Sequence, residues 1–264
     1  MTDFGISDPY VGVMKGVILG VNSKASIVDI THFIEPQNIV QAGWAVTNVF
    51  PYFPKGTIHV IVVDPGVGTG RRIIALQTAD QIFLAPDNGV LTMLLDGIQD
   101  CRVYEITNSH FFLKETSNTF HGRDIFAPVA GYLSIGTNLK EMGQLIAPED
   151  LIRLAIQRPS FDDHGTLWGT VIAIDHFGNL ITNIDKSMFD STYAEDIREQ
   201  LRLRINGRVI QGISLNYMAV ALHKPLVLFG SNGFLEISIR SGSASACLQA
   251  QTGDTVLIEL PSEG

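Results

Sequence analysis

Over roughly the first 145 residues, short apolar runs alternate with amphipathic stretches. The runs "ASIVDI", "HVIVVD", "RIIALQ" and "QIFLAP" predict strands. Val60 to Val63 is β-branched and continuous, which suits a strand buried on both faces of a mostly parallel sheet. "NIVQAGWAVTNVFPYF" sets Ile39, Ala42, Ala45, Val46 and Val49 near a 3.6-residue period and predicts a helix, as does "FAPVAGYLSIG". Strands interleaved with helices predict an α/β fold, with residues 1–158 forming a layered α/β/α domain around a mostly parallel sheet.

The pattern changes after "LIAPEDLIRLAIQRPSFDDHG", a proline-bearing stretch with a charged tail that reads as a linker. Beyond it, "TLWGTVIAID", "LRLRING", "PLVLFG", "FLEISI" and "DTVLIEL" are short runs separated by Gly, Asn and Asp turns. They predict a small β-barrel domain over residues 165–264. No repeat or low-complexity tract interrupts either half.

Composition narrows the classes. A chain of 264 residues with 45% hydrophobic content can bury a proper core. No apolar run reaches the roughly 18 residues of a membrane span, and "MTDFGISDPY" has neither a basic n-region nor an apolar h-region, so a cytoplasmic protein without membrane association is expected. Cys101 and Cys247 stand far apart, which indicates neither a disulfide framework nor a zinc site. The formal charge of −9 argues against a nucleic-acid partner, because phosphate backbones are held mainly by Lys and Arg.

The polar residues that a core would not choose fall at three places. "DPGVGTGRR" puts Asp64 at the carboxyl end of the buried run, where open α/β sheets bind ligands. Its glycines, at 66, 68 and 70, lack the GxGxxG spacing, and "RRIIALQTADQIFLAP" reads as a hairpin rather than a phosphate-binding helix. A dinucleotide fingerprint and a P-loop are both rejected. A tight turn whose aspartate caps its own backbone is the plainer alternative. "TFHGRDIFAP" sets His121, Arg123 and Asp124 just before an apolar helix, where Asp124 could serve the helix N-terminus. "AIDHFGNLITNI" ends a strand with Asp175, His176 and Asn179 around a glycine.

Taken in order, "TDFG", "DPGVGTGRR", "APDNGVLT", "FHGRDIFAP", "IDHFGNLITNI" and "GSNGFLEIS" resemble the S-adenosyl-L-methionine (SAM) hydroxide adenosyltransferase family, relatives of the SAM-dependent fluorinases and chlorinases. The resemblance runs over nearly the whole chain. It implies an N-terminal α/β/α domain, a C-terminal β-barrel, and a homotrimer with active sites at subunit interfaces. It also implies attack of water or hydroxide on the ribose 5′ carbon of SAM, releasing adenosine and L-methionine without a metal or a further cofactor. Asp64, Arg71 and His121 match the family's catalytic set. Asp3 matches the acid on the ribose hydroxyls, Asp175 the acid on the methionine ammonium, and Asn179 the amide reading adenine. Phe177 and Tyr217 match aromatics flanking the base, for which ordinary packing is the alternative. Ser231 matches a hydroxyl near the methionine carboxylate, and Asn232 and Glu236 complete the substrate contacts. Family members usually carry several apolar residues before "TDFG", so the first strand looks truncated here.

The chemistry needs such residues. The leaving group is a neutral thioether, so no general acid is required, whereas water, with a pKa of about 15.7, must lose a proton during attack. Arg71 cannot be a base but can stabilise charge developing on oxygen; Asp64 or His121 must take or relay the proton. Asp64 is preferred as acceptor, with His121 as relay. Where halogenases carry an arginine this chain has Asn232; fluorinases have a tyrosine at the position of Asp64 and a serine at that of Gly122, so water is favoured over halide. Three alternatives remain: a halide adenosyltransferase, a non-catalytic SAM or adenosine binder, and a metal-dependent hydrolase built on Asp64, His121, Asp124, Asp175 and His176.

Overall fold

The computed structural model describes residues 1–260, and the chain divides into two compact units, Met1–Ala155 and Ile156–Gly264. The first unit is a five-stranded sheet between helices. Its elements are α1 (Tyr10–Val21), α2 (Ile39–Val49), β1 (Ile58–Val60), β2 (Ile73–Gln77), β3 (Ile82–Pro86), α3 (Thr92–Gly97), β4 (Arg102–Ile106), α4 (Ala127–Ser134) and β5 (Gly143–Ile146). The strand order is β1-β3-β2-β4-β5.

Strand alternation divides the core in two. Ile74, Leu76, Phe83 and Ala85 pack with Ala42 and Val46 of α2 and Leu94 of α3. Ile73, Ala75, Leu84 and Tyr104 pack on the opposite face with Met14 of α1 and Val129 and Leu133 of α4. Asn38 caps α2 by accepting from Gln41 N–H, which fixes the start that the sequence pattern predicts.

The α/β/α layering is as expected, but the sheet is mixed rather than mostly parallel. Only β1 and β3 run parallel; β2–β3, β2–β4 and β4–β5 are antiparallel. The cause is the short β2–β3 connection, which leaves no room for a crossover helix. "ASIVDI", expected as a strand, carries no regular structure over residues 25–30, because no strand lies beside it to complete a ladder.

The second unit consists of β6 (Ser160–Phe161), β7 (Leu167–Ile174), β8 (Leu180–Asp185), β9 (Arg202–Ile205), β10 (Arg208–Gln211), β11 (Pro225–Phe229), β12 (Phe234–Ile239) and β13 (Thr255–Glu259). Seven strands run in the order β10-β9-β13-β7-β8-β12-β11 with antiparallel pairing throughout, and β6 pairs antiparallel with β7. The ends β10 and β11 approach one another, so the sheet is a nearly closed barrel, filled by Leu167, Val171, Leu180, Ile184, Phe189, Val227, Leu235, Ile237, Val256 and Ile258. Closure removes sheet edges.

Candidate active site

In the first unit the buried run Ile61–Val63 delivers Asp64 to a tight loop. Val67 N–H donates to the Asp64 carbonyl, and Thr69 donates to the Gly66 carbonyl through both its N–H and its hydroxyl. Gly68 has φ of +78°, and a Cβ there would stand 2.2 Å from the Asn118 carbonyl oxygen. Only glycine permits that turn and that approach.

The loop brings Arg71 back over Asp64, seven residues earlier, where Nε and Nη2 both donate to Oδ2 at 2.8 and 2.5 Å. The two side chains are only 5% and 8% exposed. Asp64 Oδ1 is also buried, and no described group hydrogen-bonds it. Arg71 Nη2 lies 2.8 Å from Nδ1 of His121, and its guanidinium sits 5.8 Å from the centre of the Phe126 ring. Arginine offers only donors, so Nδ1 must be an acceptor and the neutral His121 ring carries its proton on Nε2. Burial, and next the charge of Arg71, lower the His121 pKa below its ordinary value, against the opposite pull of Asp64 and Asp124. Asp64, Arg71 and His121 thus form one hydrogen-bonded chain.

His121 leads into a π-helical stretch, Gly122–Phe126, that continues as α4. Wider turns of this kind recur at functional sites. Asp124 is fully buried there, and accepts from Ser117 N–H and Oγ and from Arg123. Burial alone would raise its pKa, but the bonds from Arg123 and Ser117 prevail and hold it below the usual carboxylate range. Asp124 therefore ties the loop before His121 to the helix, where the sequence suggests only an acid at the helix N-terminus. Asp3 accepts from Gln37 N–H at 2.9 Å.

The remaining expected residues lie in the second unit. Asp175 closes the β7–β8 turn: Oδ1 accepts from Phe177 and Asn179 N–H at 2.9 Å, and Oδ2 accepts from the Asn179 side chain at 2.8 Å. Gly178, at φ +82°, passes within 2.1 Å of Ser243 Oγ measured from where a Cβ would be. Phe177 is 74% exposed, and Tyr217 is also exposed, so neither belongs to the core. The Tyr217 hydroxyl donates to buried Glu236, which also accepts from Ser238. Burial, then the Glu236 carboxylate, push the Tyr217 pKa up to about 12; Asp175 adds to this, which sets it in the same neighbourhood. Ser231 and Asn232 occupy the β11–β12 turn, closed by Gly230 and Gly233 N–H, and Asn232 Oδ1 and Glu236 Oε2 both face Gly230. Tyr217, Asn232, Glu236 and Ser238 thus make a second polar cluster. Among the described residues no three His, Cys, Asp or Glu side chains are grouped to hold a metal ion.

The chain is similar to known proteins over nearly its whole length. Residues 1–143 match the SAM hydroxide adenosyltransferase N-terminal domain, and residues 169–257 match the C-terminal domain. The chain is 31% identical to an (R)-S-adenosyl-L-methionine hydrolase of Salinispora tropica over 97% of its length and 95% of the relative's. It is 33% identical to one from Methanocaldococcus jannaschii, over 97% and 93%. A fluorinase of an Actinoplanes species is 26% identical over 98% of this chain and 95% of its own. A conserved Thermotoga maritima protein of known structure superposes with a TM-score of 0.90 at 38% identity, covering 97% of each chain. With both of its domains present, in order and over nearly its full length, the chain belongs to the SAM hydroxide adenosyltransferase family.

Proposed function

We propose that the protein hydrolyses SAM to adenosine and L-methionine. The observation that carries this reading is the buried, unpartnered Oδ1 of Asp64, held beside Arg71. Arg71 occupies Oδ2 with two donors and leaves Oδ1 as the acceptor for one water proton. That water attacks the ribose 5′ carbon, the C5′–S bond breaks, and its electron pair leaves with sulfur as the neutral thioether of methionine. The water proton passes to Oδ1 and then to solvent, which balances the lost sulfonium charge. Arg71 holds the carboxylate in place through Oδ2 and stabilises charge on the attacking oxygen.

His121 is a positioning residue in this scheme: its Nδ1 is committed to Arg71, so it steers the guanidinium rather than relaying the proton. Asp3, Asp175, Phe177, Asn179, Tyr217, Ser231, Asn232 and Glu236 bind the substrate. The exposed Phe177 and Tyr217 rings are suited to covering an adenine face. The enzyme works without metal or added cofactor, in the cytoplasm, as a homotrimer with its active site at a subunit interface. Relatives carrying the SAM hydrolase name, at 31–33% identity, support the reaction.

The test is turnover of SAM in ¹⁸O water with and without chloride. Adenosine carrying ¹⁸O at its 5′ oxygen, formed at a rate indifferent to chloride, is expected. Chloride-dependent 5′-chloro-5′-deoxyadenosine would make the protein a halide transferase, and tight SAM binding without product would make it a binder. Sedimentation of the 28.8-kDa chain as an active monomer would overturn the trimer.

A further inference from the structure

The stretch "APDNGVLT" follows β3, and the reaction proposed above leaves its polar residues without a role. The strand order explains where they fall. β3 lies between β1, which runs parallel to it, and β2, which runs antiparallel. The loop 64–71 leads from the β1 side to β2 and so passes the carboxyl end of β3. Residues leaving that end stand beside both ends of the loop.

Asn88 holds the entry. Its Nδ2 donates to the Val63 carbonyl, one residue before Asp64, at 2.9 Å, and its Oδ1 accepts from Val90 N–H at 3.2 Å. A carbonyl only accepts and a peptide N–H only donates, so the two bonds fix which way the amide faces. Asp87 holds the exit. Its N–H donates to the Arg72 carbonyl at 2.9 Å, and its Oδ2 accepts from Arg72 Nε and Nη2 at 2.8 and 2.5 Å.

The atoms and distances repeat those of the Asp64–Arg71 pair. Consecutive residues of an extended chain point to opposite sides, so the two arginines serve two carboxylates. The pairs differ at the second oxygen. Oδ1 of Asp64 has no partner, whereas Oδ1 of Asp87 accepts from Ile152 N–H at 2.9 Å. Asp87 is 2% exposed with both oxygens filled, the state in which a buried carboxylate serves as an anchor. Arg72 Nη2 also donates to the Asp150 carbonyl, which seats residues 150–152 on the same anchor.

We propose that Asp87 and Asn88 are positioning residues for water activation: one dipeptide clamps both ends of the loop, so that Arg71 closes on Oδ2 of Asp64 and leaves Oδ1 open. The consequence for turnover rests on the hydrolytic reading above; the geometry of the clamp does not. Freed at either end, the loop lets the guanidinium move off the carboxylate, and a misplacement of about 1 Å costs on the order of 10²-fold in rate.

The experiment compares Asp87→Asn, Asn88→Ala and Val103→Ala with the wild type. Val103 is buried and pairs with Leu76 at the end of β2 away from the loop, so its truncation lowers stability without touching the clamp. Two things are read at a temperature where every protein is folded: kcat and KM for SAM, and the ¹⁵N-resolved signal of Arg71 Nε–H, assigned by its loss in Arg71→Lys. In both clamp variants the signal is expected to shift and to exchange faster with solvent, while kcat falls about 10- to 100-fold at unchanged KM. Val103→Ala is expected to change neither. An Arg71 signal that stays in place in the clamp variants overturns the proposal. So does a shifted signal with kcat unchanged, a rise in KM alone, or an equal loss in Val103→Ala. A wild type that turns over no SAM defeats the hydrolytic reading instead, and the Arg71 signal then decides the clamp by itself. Should Asp87→Asn not fold, Arg72→Lys keeps the charge and loses the fork, and an Arg71 signal unmoved in that variant is equally decisive against the proposal.

Discussion

At the scale of single residues, the decisive asymmetry is within one carboxylate. Oδ2 of Asp64 is saturated by Arg71 while Oδ1 is buried and unpartnered. Asp64→Asn keeps the shape but replaces an anion with an amide that cannot accept a proton. Turnover of SAM should fall by about 10²–10⁴-fold with substrate affinity little changed, which single-turnover kinetics and calorimetry together would check. His121 makes a different prediction. Its pKa is lowered, so the ring stays neutral to below the ordinary value of about 6.5 and then charges as pH falls further. Protonation removes the Nδ1 acceptor and sets a second cation beside Arg71, so activity should decline on the acid side only, with its midpoint below that ordinary value. The same sign holds for stability: the folded state resists the proton, so the penalty enters as pH falls and is absent at alkaline pH. His121→Gln keeps an acceptor and should retain much of the activity while losing this acid limb; His121→Leu should lose both. A pH–rate profile of the three proteins separates positioning from proton transfer.

At the scale of elements, the loop 64–71 depends on glycines unequally. Gly68 combines a left-handed backbone with a carbonyl 2.2 Å from its absent Cβ, whereas Gly70 has open space within 4 Å. Gly68→Ala should therefore cost about 1–3 kcal/mol or more and displace Arg71, lowering both Tm and turnover. Gly70→Ala should leave Tm nearly unchanged. Thermal melts of the pair test the assignment. The elements differ in how legible they are. α2 follows from its period because it carries one buried face, whereas α4 and the β2–β3 hairpin, buried on nearly every side, are marked by continuous apolar runs and the turn residues that bound them. α1 is not anticipated from its pattern: "YVGVMKGVILGV" is apolar nearly all round and spaced by glycines, so no 3.6-residue contrast marks it. "ASIVDI" fails in the opposite sense, since a strand needs a neighbour that local sequence does not supply. The π-helical turn after His121 is likewise set by packing of Phe126 and the buried Asp124 network.

At the scale of the whole molecule, the two units have separate cores, and the barrel closes on itself around its own apolar set. Residues 156–264 expressed alone should unfold in one cooperative thermal transition; a non-cooperative melt would show that the barrel depends on the rest of the chain. The amino-acid sequence by itself determined the two-part α/β and barrel organisation, because hydrophobic period and turn chemistry are local. It also determined the family, because six ordered motifs identify it. Only the tertiary structure decided that the sheet is mixed and that the run of residues 25–30 stays unpaired. Only it decided that Arg71 takes one oxygen of Asp64 and leaves the other, and that His121 faces Arg71 with its acceptor nitrogen. These are matters of strand partnership, burial and angle between groups 7 and 50 residues apart along the chain. Such separations are bridged by packing of the whole core, and no local pattern encodes them.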